Sequence, residues 1–351
     1  MSWLLLFAPV AIGLEQFAPE RYLLIFLAAA LAIVPLAGWM GRATEQLATR
    51  LGEGVGGLLN ATFGNAAELI IAFAALRAGL HTVVKASLVG SIVGNILLVL
   101  GTAMFAGGLR HKEQHYNVAG ARSQATLLTL AAIALILPAA YRGAIGSGAP
   151  VIGSLSIWIS LVLLAVYGAN LVFSLVTHPA LFTGPPGEKE AEHEPAWSAG
   201  RATAVLAAAT ATIAWMSELL VGALEPTGKA LGLNDAFVGV FLVAVLSTAA
   251  EQAAAVRAAT NDRMDLALSI AIGSSVQVAL FVAPLLVLAS LVVGPQPMDL
   301  AFNGGMVLTV LLAVLITGQV AGDGRSDWLK GVQLLAVYGI LGLAYFFAPA
   351  A

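Results

Sequence analysis

Apolar residues run in long continuous stretches, broken by short polar segments, with no alternation at every second position. Stretches long enough to cross a hydrocarbon core of about 30 Å fall at about 2–18, 21–40, 56–76, 82–107, 118–140, 151–176, 201–223, 235–256, 264–293, 299–319 and 330–348. A transmembrane β-barrel would show short alternating segments instead. The first stretch has no basic n-region and no clear cleavage site before Glu15, so it reads as a retained helix. The fold class this predicts is an all-α polytopic membrane protein of about eleven transmembrane helices.

Composition narrows the function. Of 351 residues, 60% are hydrophobic and 10% charged, against roughly 25% charged in soluble domains. That excludes a soluble enzyme with an ordinary charged surface. A net charge of −3, with 16 scattered basic residues, excludes a nucleic-acid partner. The absence of Cys excludes disulfides, thiolate zinc sites and cysteine nucleophiles.

The basic residues set an orientation. With the N-terminus inside, eleven fall on inner loops and five (Arg21, Arg77, Lys85, Arg142 and Lys229) on the outer side. The N-terminus is therefore expected in the cytoplasm and the C-terminus outside, in the plasma membrane of a prokaryote. Residues 183–200, TGPPGEKEAEHEPAWSAG, interrupt the apolar pattern as an acidic cytoplasmic linker carrying Glu188, Glu190, Glu192 and Glu194. It reads either as a solvated hinge or as a cation-sensing segment.

The two halves contain a repeat. Gly64-Asn65-Ala66-Ala67-Glu68 matches Ser247-Thr248-Ala249-Ala250-Glu251, and Gly90-Ser91-Ile92-Val93 matches Gly273-Ser274-Ser275-Val276, both at an offset of 183. The expected organisation is an N-terminal transmembrane helix (1–19), a first five-helix repeat (20–182), the linker (183–200) and a second five-helix repeat (201–351). An odd number of crossings per copy inverts one copy against the other. Inverted repeats place a transporter's substrate near the midplane where they meet.

The polar residues point to a cation. Asn65 and Glu68, and likewise Thr248 and Glu251, are three apart and share a helix face. Ser91 with Asn95, and Ser274 with Gln277, do the same on other spans. Two carboxylates with amide, hydroxyl and freed carbonyl oxygens favour a hard divalent ion such as Ca2+, Mn2+ or Mg2+. A charged side chain at a span centre costs about 2.5–3.5 kcal/mol, so Glu68 and Glu251 need a reason to be there. For the hydroxyls and amides, helix–helix hydrogen bonding is an equal alternative to ion contact. Glu218, inside the seventh stretch, reads either as a group behind the cage or on a proton path, or as a structural carboxylate.

These residues resemble a known family. GRATEQLATRLGEGVGGLLNATFGNAAELIIAFAAL with ASLVGSIVGNILLVLG is similar to the first signature region of Ca2+/H+ antiporters, within the cation/Ca2+ exchanger superfamily. AAEQAAAVRAATNDRMDLALSIAIGSSVQVALFVAPLLV is similar to the second. The resemblance implies that Glu68 and Glu251 bind Ca2+ and exchange it for protons. It further implies that Asn65, Ser91, Asn95, Ser274 and Gln277 line the ion site. The second motif departs from the family's Gly-Asn-Ala-x-Glu-His: Ser247 and Thr248 replace Gly and Asn, and Gln252 replaces a titratable His. Gln252 is left as a neighbour of the site that carries no proton.

The expected activity is secondary antiport, with no enzymatic step and no cofactor. Either one divalent ion or protons neutralise the facing carboxylates, and the two ligands compete. The alternatives are a Na+-coupled Ca2+ exchanger and a Mn2+/H+ antiporter of the same fold. An intramembrane hydrolase fails for want of a catalytic constellation.

Overall fold

The structure is a computed structural model, and it describes residues 2–51, 59, 62–145, 150–179 and 197–348. Most of the acidic linker, residues 180–196, lies outside the described residues, so neither reading of it is addressed. The chain is built from helices. A 3-10 turn (Ser2–Leu6) leads into α1 (Phe7–Phe17), followed by α2 (Tyr22–Leu51), α3 (Ala66–Arg77), α4 (His81–Arg110), α5 (Val118–Ile145) and α6 (Val151–Thr177). After the linker come α7 (Ala199–Leu231), α8 (Val238–Ser247), α9 (Ala249–Thr260), α10 (Met264–Ala289), α11 (Gly304–Ala321) and α12 (Trp328–Phe346).

Among the described residues, eight helices are long and apolar enough to cross a membrane: α2, α4, α5, α6, α7, α10, α11 and α12. The α8–α9 pair, bent by 57° at Thr248, would make a ninth. The stretch at 2–18 is a shorter helix, Trp3–Phe17, that at 235–256 is broken at Thr248, and in that at 56–76 the described residues break at Gly64 and Asn65. Apolar length does not distinguish a continuous helix from two short ones joined at a polar break.

Elements on either side of the linker recur at the spacing found in the sequence. Helices α3 and α9 begin 183 residues apart and end 183 apart. So do the starts of α4 and α10. Asn65 (φ −109°, ψ 23°) and Thr248 (φ −88°, ψ 6°) hold similar non-helical backbones just before α3 and α9. The turn after each helix needs a left-handed residue: Gly79 (φ 76°) supplies it first and Asp262 (φ 60°) second. Asp tolerates this conformation better than most non-Gly residues. Wider π-helical turns follow at Gly94–Val99 in α4 and Val278–Val282 in α10.

Helices α4 and α10 run through the middle of the bundle and are the most buried. They cross where the Ser275 hydroxyl donates to the Ile92 carbonyl at 3.1 Å. Helix α2 packs along α7, and the ends are tied by Trp197 N–H to Gln46 (2.9 Å) and Arg50 to the Trp197 carbonyl (2.5 Å). Ser198 caps α7, Asn303 caps α11 and Asp327 caps α12, each accepting first-turn N–H groups.

Two polar clasps close the loops. At one end Asp299 takes Lys85 of α4 at 2.7 Å and also Arg142 of α5. At the other, Gln114–His115 pairs with Arg325–Ser326 as a two-stranded ribbon. Beside it the Tyr116 hydroxyl donates to the Val320 carbonyl at 2.7 Å. Burial pushes that phenol's pKa up to about 12, so it stays a donor at any physiological pH.

Candidate functional site

The two helix breaks set the site. Each carboxylate lies in the first turn of a short helix, Glu68 in α3 and Glu251 in α9. There the unpaired N–H groups and the helix dipole favour negative charge. Glu68 is 6% exposed and Glu251 is half-buried. The two are close enough for their charges to interact.

A hydrogen-bonded chain runs beside them. The Asn95 amide donates to Ser274 Oγ at 3.0 Å, and Ser274 Oγ donates to Asn65 Oδ1 at 2.7 Å. The Asn65 amide donates in turn to Gln277 Oε1. Four of the sequence-predicted residues, from α4, α10 and the turn before α3, are thus brought into direct contact. The wider turn starting at Gly94 shifts the helical register where Asn95 sits, a feature common at functional sites.

The opposite side is built differently. Thr248 occupies the repeat position of Asn65, but its hydroxyl donates to the Ala244 carbonyl of its own helix at 2.9 Å. Gly94 stands where the other copy has Gln277. Among the described residues, a Cβ there would meet only Thr248 Oγ1, at 3.9 Å. One half of the cage is filled by amides and the other is left roomy.

Several buried acceptors have no donor. Both oxygens of Glu68, Oε2 of Glu251 and Oδ1 of Asn95 lack any hydrogen-bond partner among the described residues. Desolvating a carboxylate without compensation is strongly unfavourable, so the pair calls for protons or a cation. Among the described residues no three His, Cys, Asp or Glu side chains gather to hold a metal, so any ion here relies on neutral oxygens for the rest of its shell.

The remaining predicted residues lie around this set. Ser91 is buried on α4, one turn before Asn95, and Gln252 is half-buried on α9 beside Glu251. Glu218 is corrected. Its side chain is 60% exposed and pairs with Arg77 of α3 at 3.1 Å, which fits the structural reading and not a place behind the cage. The buried stripe of α7 runs through Ile213, Met216, Ser217, Leu220 and Leu224, and Glu218 falls one position off it. Two residues escaped the sequence reading, Ser275 at the helix crossing and Gln124 on α5. Gln124 gave little signal, because Arg122, Ser123 and Thr126 beside it make the start of α5 polar.

Comparison with known proteins agrees with this architecture. The chain matches the sodium/calcium exchanger protein family over residues 21–176 and 201–347. It is 46% identical over 345 residues to a Ca2+/H+ antiporter of Synechocystis sp., covering 93% of this chain and 91% of that one. It is 45% identical over 361 residues to the Ca2+/H+ antiporter of Aphanothece halophytica, covering 99% and 96%. The solved structure of native YfkE superposes with a TM-score of 0.83 at 38% identity, covering 97% of each chain. The chain belongs to the sodium/calcium exchanger family of membrane transporters.

Proposed function

We propose that this protein exchanges Ca2+ for H+ across the membrane by alternating access, with Glu68 and Glu251 as the groups that bind either ligand. The observation that carries the reading is the set of four buried acceptor oxygens, on Glu68, Glu251 and Asn95, that lack a donor. The names of the similar proteins, Ca2+/H+ antiporters, favour Ca2+ as the ion.

The chemistry follows from charge. Two carboxylates carry −2, which one Ca2+ neutralises, and its shell of six to eight oxygens is completed by Asn95, Ser91, Thr248, Gln277, backbone carbonyls and water. Two protons neutralise the same pair. Because both ligands need the same oxygens, they exclude one another. A neutralised centre crosses the apolar barrier readily and a bare one does not, so exchange proceeds without leak. The Asn65–Ser274–Gln277 chain holds the α3 break against α10 and fixes where Glu68 points.

The two five-helix halves, inverted about the crossing of α4 and α10, provide the two access states. The excess of basic residues on one side supports a cytoplasmic N-terminus and linker and an external C-terminus, in a prokaryotic plasma membrane.

The test is 45Ca2+ uptake into proteoliposomes that are acidic inside and free of Na+. Uptake should collapse with a protonophore and vanish in Glu68→Gln and Glu251→Gln. Unaltered exchange by Glu68→Gln, or uptake only when Na+ is loaded inside, refutes the proposal.

A further inference from the structure

We propose that a narrow crevice between α5 and α10, with room for a single water, is the entry of a proton route from the end of the molecule bearing the α4–α5 loop to the Ser274–Asn65 chain. The inference deepens the proton-exchange reading and rests on it for the role of the water, though not for its presence.

Helix α10 packs along α5, and between them lies a crevice of about 10 Å3 lined by Asn117 and Gln124 on one side and Asp265 and Ser269 on the other. That volume is about the room one water needs, and the walls offer the two to four polar partners a buried water takes. Asp265 stands at the mouth, its Oδ1 accepting the Asn117 N–H at 2.7 Å. On α10, Asp265, Ser269, Gly273 and Gln277 recur every fourth residue. They form one stripe that rises about 18 Å from the helix start to the amide bonded by Asn65. On α5 the polar lining ends at Gln124, and fully buried Leu128 closes the next turn.

The glycines show that the stripe stays open. Gly90 and Gly273 hold the same repeat position, yet their surroundings differ. A Cβ on Gly90 would press into the backbone of Val240 and come within 2.7 Å of Ala244 Cβ, whereas one on Gly273 would meet, among the described residues, only Gln124 Nε2, at an ordinary contact distance of 3.8 Å. Gly90 is a packing glycine; Gly273 leaves space at the level of Ser274. The repeat mates of Asp265, Ser269 and Gln124 are Thr82, Ala86 and Val307, so the equivalent face between α4 and α11 keeps only one of the three polar groups.

Charged groups from the neighbouring elements surround the mouth. Arg122 of α5 donates to the Gly322 carbonyl at 3.1 Å, Asp262 accepts from Gln114 at 2.9 Å, Arg263 precedes α10, and Asp323 is paired with Lys330. Size distinguishes this route from a cation's. At the other end of α4 an open groove of about 720 Å3, lined by Arg77, Glu218, Glu225 and Lys229, has room for a hydrated divalent ion; the crevice does not. A proton passes by hopping between waters and the Ser269 and Ser274 hydroxyls, so no group larger than water has to enter.

The chain contains no Cys, which makes thiol accessibility a clean readout. Single substitutions Gln124→Cys, Ser269→Cys, Lys112→Cys (an exposed loop reference for the side) and Ile133→Cys (54% exposed on the outer surface of α5) are treated with Ag+, a membrane-impermeant, thiol-reactive cation no larger than a water molecule. The crevice positions should react only from the side that labels Lys112→Cys, and much faster than Ile133→Cys. In proteoliposomes with a pH-sensitive dye inside, Gln124→Leu should slow Ca2+-driven proton release about tenfold with KM for Ca2+ unchanged, and Gln124→Asn should restore it. Labelling of Gln124→Cys and Ser269→Cys no faster than Ile133→Cys overturns the crevice. Labelling without any rate change in Gln124→Leu overturns its proton role. Labelling in a protein that moves no Ca2+ leaves the crevice standing and refutes the exchange reading alone.

Discussion

Gly90 and Gly273 occupy matching repeat positions, so the same substitution at each isolates packing from everything else the two positions share. At Gly90 an added methyl would lie 2.7 Å from Val240 Cα and from Ala244 Cβ, against the 3.4–4 Å of ordinary contact. Two of the obstructing atoms belong to the α8 backbone, so α4 and α8 must separate by most of an ångström. Overpacking of this kind costs about 1–3 kcal/mol, and backbone contacts put it near the top of that range. Replacing Gly by Ala inside a helix returns about 1 kcal/mol, leaving a net loss of about 2 kcal/mol for Gly90→Ala. Gly273→Ala has an open 3.8 Å contact and should gain the helical term alone, about 1 kcal/mol. At about 2 °C per kcal/mol the two variants should differ in Tm by about 6 °C, with wild type between them. Intrinsic fluorescence of the six Trp residues in detergent reads the transition. Equal Tm values for the two variants would show that α4 and α8 are not in the close contact described, and the contrast between the glycines would fall with it.

Other perturbations separate the site from its supports. Asn65→Ala removes the acceptor of Ser274 and the donor to Gln277, so KM for Ca2+ should rise about tenfold in 45Ca2+ uptake while folding is kept. Asp299→Asn strands Lys85 and Arg142 in a partly buried clasp and should cost about 1–3 kcal/mol, read by thermal unfolding; Asp299→Glu should recover most of it. Arg77→Ala breaks a pair whose side chains are both 60% exposed, so Tm should not move measurably, and raised salt should not change that result.

Most of the spans, and the buried carboxylates with their amide and hydroxyl neighbours, could be read from the sequence, because polar residues stand out against an apolar background. The directions those side chains take were harder to read. Lipid-facing and core-facing surfaces are both apolar, so hydropathy carries little information about how a helix is rotated. That is why Glu218 read as interior although it falls one position off the buried stripe of α7 and meets Arg77. Likewise Thr248 aligns with Asn65, but its shorter side chain bonds back to Ala244 instead of reaching across. The Asn65–Gln277 contact joins residues 212 apart, and it depends on the helix crossing, which no local pattern encodes. The wider turns at Gly94 and Val278 left no local signal either, although they follow Gly-Ser motifs that were visible.

Ile92 and Ser275 are 183 residues apart, and they touch. A residue that touches its own counterpart lies on the axis relating the two halves, the one place an interchange of their roles leaves unmoved. The separation of this pair should therefore serve as a fixed ruler. A pair of spectroscopic probes spanning 92 and 275 should report one distance throughout the transport cycle, while pairs set away from the axis change theirs. If that distance holds, the Ser275–Ile92 contact is the fulcrum about which the proposed exchange of states turns.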